Sequence, residues 1–119
     1  QAADWMDKRE NMGHLLESFV VQQVIAQAGW TDPNLRFFHY RDKDKVEVDL
    51  VITKGRKTWG IEVKASQTVN RKDLKGLVRL AEQCGKDFQG GLVLYAGRDI
   101  LSFGDPLLLA VPLNKVWSL

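Results

Sequence analysis

Residues 46–66, VEVDLVITKGRKTWGIEVKAS, constrain the fold more than any other stretch of this chain. Two segments rich in Val and Ile flank Lys54-Gly55-Arg56-Lys57, so the sequence predicts strands over 45–53 and 57–66 joined as a hairpin. Gly55 at the first central position suits a type II′ turn. A two-residue loop at Gly55-Arg56 fixes the register. Leu50 then faces Ile61, Val48 faces Val63 and Val46 faces Ala65, so the apolar faces match. Strand alternation puts Glu47 and Asp49 on the opposite face, with Gly60, Glu62 and Lys64. The same register sets Asp49 against Glu62 and Glu47 against Lys64. Directly opposed side chains have Cβ atoms about 4.5–5.5 Å apart, where two carboxylates repel unless a proton or a cation joins them. Hard oxygen ligands of this kind suit Mg²⁺ or Mn²⁺. The plain alternative is a solvated face.

The remaining elements decide how covered that hairpin is. Residues 12–28, MGHLLESFVVQQVIAQA, read as a helix ending at Gly29. Its apolar residues cover most of the circumference, so it is expected to pack on more than one side. Leu35–Tyr40 reads as a strand. Asn70 caps a second helix, with Asp73 in its first turn, and Gly85 closes it. Residues 90–97 read as a buried strand, followed by a turn at Phe103–Pro106, a last strand over 107–113 and a tail. Helices on both sides of the hairpin in sequence imply that both sheet faces are partly covered, against the solvated alternative. Glu17 lies among Val20, Val21 and Val24 on the first helix, either as a rim residue or as a third acid beside Asp49 and Glu62.

Composition narrows the classes. The 119 residues make one domain, 1–119. Cys84 is the only cysteine, which excludes an intrachain disulfide and a cysteine-based zinc site. A net charge of +2 and a pI of about 8.8 permit a polyanionic partner without requiring one. The longest apolar run, 107–112, is too short for a bilayer and no signal peptide is visible, so a cytoplasmic location without membrane partners is expected. Gln1 in place of Met suggests a piece of a longer chain. His14 and His39 read as structural or surface residues, and Ser66 and Gln67 as polar loop. Trp5, Trp30, Trp59 and Trp117 read as packing, and Tyr95 as core.

An acid on the first helix, an Asp on a strand and Glu-x-Lys on the next resemble the PD-(D/E)xK nuclease superfamily. Glu17, Asp49, Glu62 and Lys64 would fill those places, with Val48 where the name-giving Pro stands. The resemblance implies a restriction-endonuclease-like α/β core of order α-β-β-β-α-β, followed here by a short strand pair, with a central mixed sheet flanked by helices. It implies a metal-dependent nuclease. Asp49, Glu62, Glu17 and the Val63 carbonyl would hold Mg²⁺ (or Mn²⁺), and Lys64 would act with Asp49 and Glu62 in catalysis. The partner would be nucleic acid, DNA in the first instance. Lys54, Arg56, Lys57, Arg71, Lys72, Lys75 and Arg79 are candidates for phosphate contacts, or else an ordinary solvated surface. LLESFV, RDKDKVEVDLVI, IEVKAS, LKGL and GLVLYAG further resemble the C-terminal domain of unknown function of certain prokaryotic AAA-type ATPases. No GxxxxGK[ST] phosphate loop occurs, so an ATPase would lie in a separate N-terminal part. The alternative is a catalytically idle module that recognises nucleic acid or protein for that ATPase.

Overall fold

The computed structural model describes residues 2–118, with side chains described over 11–116. Trp5 and Trp117 therefore lie outside the described side chains. The elements follow the order the sequence implies: α1 (Ala2–Thr31), β1 (Arg36–Arg41), β2 (Glu47–Lys54), β3 (Lys57–Lys64), α2 (Lys75–Cys84), β4 (Phe88–Tyr95), β5 (Leu101–Ser102) and β6 (Leu108–Pro112). Short 3₁₀ turns precede α2, follow it and close the chain. The strands form one mixed sheet in the order β1-β2-β3-β4-β6-β5. β1, β2 and β3 are an antiparallel meander. The α2 crossover makes β4 parallel to β3, and β6 continues parallel to β4. Among the described residues no helix is long and apolar enough to cross a membrane.

Each sheet face carries its own core. On the α1 face, Val20 packs with Leu50, Ile52, Ile61, Val63, Leu94 and Val116. On the α2 face, Leu74, Leu77 and Leu80 pack with Val48, Val51, Val93, Tyr95, Leu108 and Ala110. Tyr95 is thus core, as expected. A sheet covered on both faces explains the unbroken apolar runs Leu50-Val51-Ile52 in β2 and Leu92-Val93-Leu94-Tyr95 in β4.

The expected hairpin register holds from the turn to Leu50↔Ile61. Gly55 takes φ +60° while Arg56 stays at negative φ, as a type II′ turn requires. Three expectations need correction. The first helix does not stop at Gly29 but runs to Thr31. One helical glycine costs about 1 kcal/mol, which packing absorbs, whereas Pro33 bars Asp32 from helical backbone. Over its described side chains the same helix packs on one side only: Met12, Leu15 and Phe19 are 68%, 70% and 52% exposed. Trp30 is 92% exposed rather than packed, while Trp59 does pack on the α1-side core.

Candidate functional site

Val48 also departs from its expected face, and the reason builds the site. Phe38 pairs with Val51 and Tyr40 with Val48, so His39 on β1 opposes both Asp49 and Leu50 on β2. Two residues against one is a β-bulge, which bends a strand and re-aims side chains. It breaks strict alternation at Asp49. Val48 consequently points to the α2 face, while Leu50, Ile61 and Val63 share the α1 face as expected.

Beyond Leu50↔Ile61 the β2–β3 ladder ends, and carboxylates take over its donors. The Asp49 N–H donates to Glu62 Oε1 at 3.0 Å, and the Val63 N–H donates to Asp49 Oδ2 at 2.8 Å. Each acid thus holds a backbone amide of the opposite strand. Glu17, reaching over from α1, accepts the Ala65 N–H at 3.1 Å. Asp49 lines two hollows at this open strand end. One, of about 450 Å³, is shared with Glu62, Lys64, Lys72, Asp73 and Lys75. The other, of about 290 Å³, is shared with Glu17, His14 and His39. The sequence-expected quartet of Glu17, Asp49, Glu62 and Lys64 therefore gathers at one place, with the acids approaching from both faces.

The electrostatics are unfavourable for the acids as they stand. Burial pushes the Glu62 carboxyl up to about 8, and the neighbouring Asp49 charge pushes in the same direction. The Glu17 charge adds to this. A buried, mutually repelling carboxylate pair is stabilised by a shared proton or by a cation. Lys64 does not supply that cation. Nor does it meet Glu47, its expected cross-strand partner, because the ladder has ended before that pair. Glu47 turns instead towards Arg41 and His39 of β1. Lys64 Nζ rests on Asp73 Oδ2, and that carboxylate also accepts the Asn70 N–H at 2.8 Å. Among the described residues no three His, Cys, Asp or Glu side chains stand ready as an ion cage.

The basic residues separate into groups. Lys72 and Lys75 line the larger hollow, joined by Lys45, and none of the three has an ion-pair partner among the described residues. Lys54, Arg56 and Lys57 are exposed at the hairpin tip. Lys54 lies five residue steps along the strand from Asp49, about 17 Å at about 3.3 Å per residue. Lys54 is also tied to Asp32 at 2.7 Å. Arg79 is clamped by Asp42 at 2.6 Å and Asp44 at 3.2 Å. Arg71 is exposed beside the site in the turn before α2.

That Asp42–Arg79 clamp has a structural use. Asp42 Oδ1 accepts the N–H groups of Asp44 and Val46, both at 2.9 Å, and so fixes the β1–β2 loop. Within it Lys45 is held at φ +64°, among the described residues the one non-glycine with positive φ. α2 approaches this loop closely: a Cβ on Gly76 would lie 2.1 Å from the Glu47 carbonyl oxygen. Sequence reasoning named Asp73 only as a first-turn residue and passed over Lys45. The Asn70-x-x-Asp73 capping spacing marked where Asp73 would be, but only the fold brings it to Lys64.

A family model described as Domain of unknown function (DUF4143) matches residues 12–116, which includes every residue of the site. None of the curated proteins compared matches the chain.

Proposed function

The chain belongs to the DUF4143 family, and from its open strand end we propose that it is a divalent-metal-dependent nuclease on a restriction-endonuclease-like core. The observation that supports this best is the burial of Glu62 beside Asp49, with Lys64 lining the same hollow. A fold that only needed a hairpin would not draw two repelling acids together at the place where the ladder stops.

The residues fit a hard divalent ion. Asp49, Glu62 and Glu17 offer carboxylate oxygens, the Val63 carbonyl is a further oxygen donor, and Mg²⁺ or Mn²⁺ prefers such ligands. Bound there, the ion would acidify a water and stabilise charge on the scissile phosphate. Lys64 cannot be a ligand, because an ammonium has no lone pair. It orients the attacking water and offsets negative charge gathering on the phosphate oxygens. The water oxygen bonds to phosphorus and gives up a proton to solvent, the phosphorus–sugar oxygen bond breaks, and the departing oxygen takes a proton from solvent. Lys45, Lys72 and Lys75 hold neighbouring phosphates of the strand, DNA in the first instance. Attached behind an AAA-type ATPase, as the C-terminal domains it resembles are, the domain would cut nucleic acid that the ATPase presents.

A second reading, an idle recognition module serving that ATPase, has one observation in its favour. The carboxylates already hold backbone amides, and no three ligands stand ready together. End-labelled single- and double-stranded DNA and RNA, incubated with Mg²⁺, Mn²⁺ or EDTA, separate the two. Metal-dependent cleavage that Glu62→Ala abolishes supports the nuclease. Binding without cleavage under every condition leaves the recognition module.

A further inference from the structure

Lys64 stands two residues beyond Glu62 and lines the same hollow as Glu62 and Asp49. A flexible ammonium beside two carboxylates is drawn onto them at close range, because a partly buried site screens their attraction weakly. Yet the one carboxylate within ion-pair distance of Lys64, among the described residues, is Asp73. Asp73 is itself fixed. It accepts the Asn70 N–H, sits within the turn leading into α2, and its side chain is 20% exposed against 29% for Lys64. Against the upward push of partial burial, the Asn70 hydrogen bond and the Lys64 ammonium together hold its carboxyl below the usual range.

Resting on the nuclease reading above, we propose that Asp73 is a positioning residue that holds the Lys64 ammonium away from Asp49 and Glu62 and so keeps their oxygens free for a divalent cation. Without the Asp73 charge, Lys64 swings onto the acid pair and competes with the metal as an internal counter-ion. Asp73 touches neither metal nor substrate and acts only through Lys64.

The test is a Mn²⁺ titration by calorimetry on the full chain and its variants, without nucleic acid. Asp73→Asn keeps size and an acceptor for the Asn70 N–H, so the fold stays intact, as a thermal melt checks. It should weaken Mn²⁺ binding about 10-fold. Asp73→Glu should recover most of that loss. Adding Lys64→Met to Asp73→Asn should restore wild-type affinity or better, because the competing ammonium is gone. Equal Mn²⁺ affinity in wild type and Asp73→Asn overturns the inference and leaves the nuclease reading standing. So does a weakening that persists in the double variant. Failure of the wild type to take up Mn²⁺ at all is a different result, which removes the metal site and this inference with it.

Discussion

Glu62→Gln isolates the strain that the site stores. In the folded chain the Glu62 carboxyl is pushed from its ordinary 4.5 to about 8, first by burial and then by the Asp49 charge. Between those values the native state holds a proton that the unfolded chain has released. Stability contributed by the neutral carboxyl is therefore complete below about pH 4.5 and is lost as pH rises through about 8. The interval of about 3.5 pH units, at about 1.4 kcal/mol per unit, sets a ceiling of about 5 kcal/mol. Partial access of water to this half-buried group lowers the expectation to about 2–4 kcal/mol. Glutamine keeps an acceptor for the Asp49 N–H and has no charge to titrate. Urea unfolding in EDTA should find the variant close to wild type at pH 5. It should find the variant about 2–4 kcal/mol more stable at pH 8.5. Parallel stability curves from pH 5 to 8.5 would refute the claim that Glu62 is held at the expense of the fold.

Three further outcomes follow from the same geometry. Millimolar Mg²⁺ or Mn²⁺ should raise the wild-type melting temperature by mass action and leave Asp49→Asn unmoved; no shift in either would count against metal binding. Gly76→Ala should destabilise by about 2–3 kcal/mol in urea, because its Cβ would meet the Glu47 carbonyl oxygen at 2.1 Å; a neutral change would mean that α2 can lift off β2 freely. Lys45→Gly should stabilise by up to about 1 kcal/mol by relieving a left-handed lysine, while lowering the salt slope of DNA binding by about 1. A loss of stability would show that Lys45 is not strained.

How far the site could be read from the sequence depends on which contacts are local. Gly55 and the matched apolar residues fix the hairpin register within about twenty residues of chain, and that register is the observed one as far as Leu50↔Ile61. It brings Asp49 and Glu62 to the same end without further information. The bulge opposite His39 is invisible at this level, because it is set by pairing with β1. It sends Val48 to the other face and lets Asp49 reach both hollows. The Lys64–Asp73 pair was hidden for a similar reason. Strand alternation offers Glu47 as the partner of Lys64, and only the way the chain folds back into α2 substitutes Asp73. At α1, Gly29 reads as the stronger stop signal, yet Pro33 turns the residue before it away from helical backbone whereas Gly29 merely weakens the helix.

The claim that this open strand end performs metal-dependent hydrolysis is tested most directly by the single-turnover cleavage rate of Lys64→Ala, measured with Mn²⁺ binding on the same sample. Lys64 is assigned a role in the chemistry and none in holding the ion. The expected result is Mn²⁺ affinity equal to or above wild type, with a cleavage rate lower by about 10²–10⁴-fold. Equal cleavage by wild type and Lys64→Ala would contradict the account, since the activity would then arise outside this site.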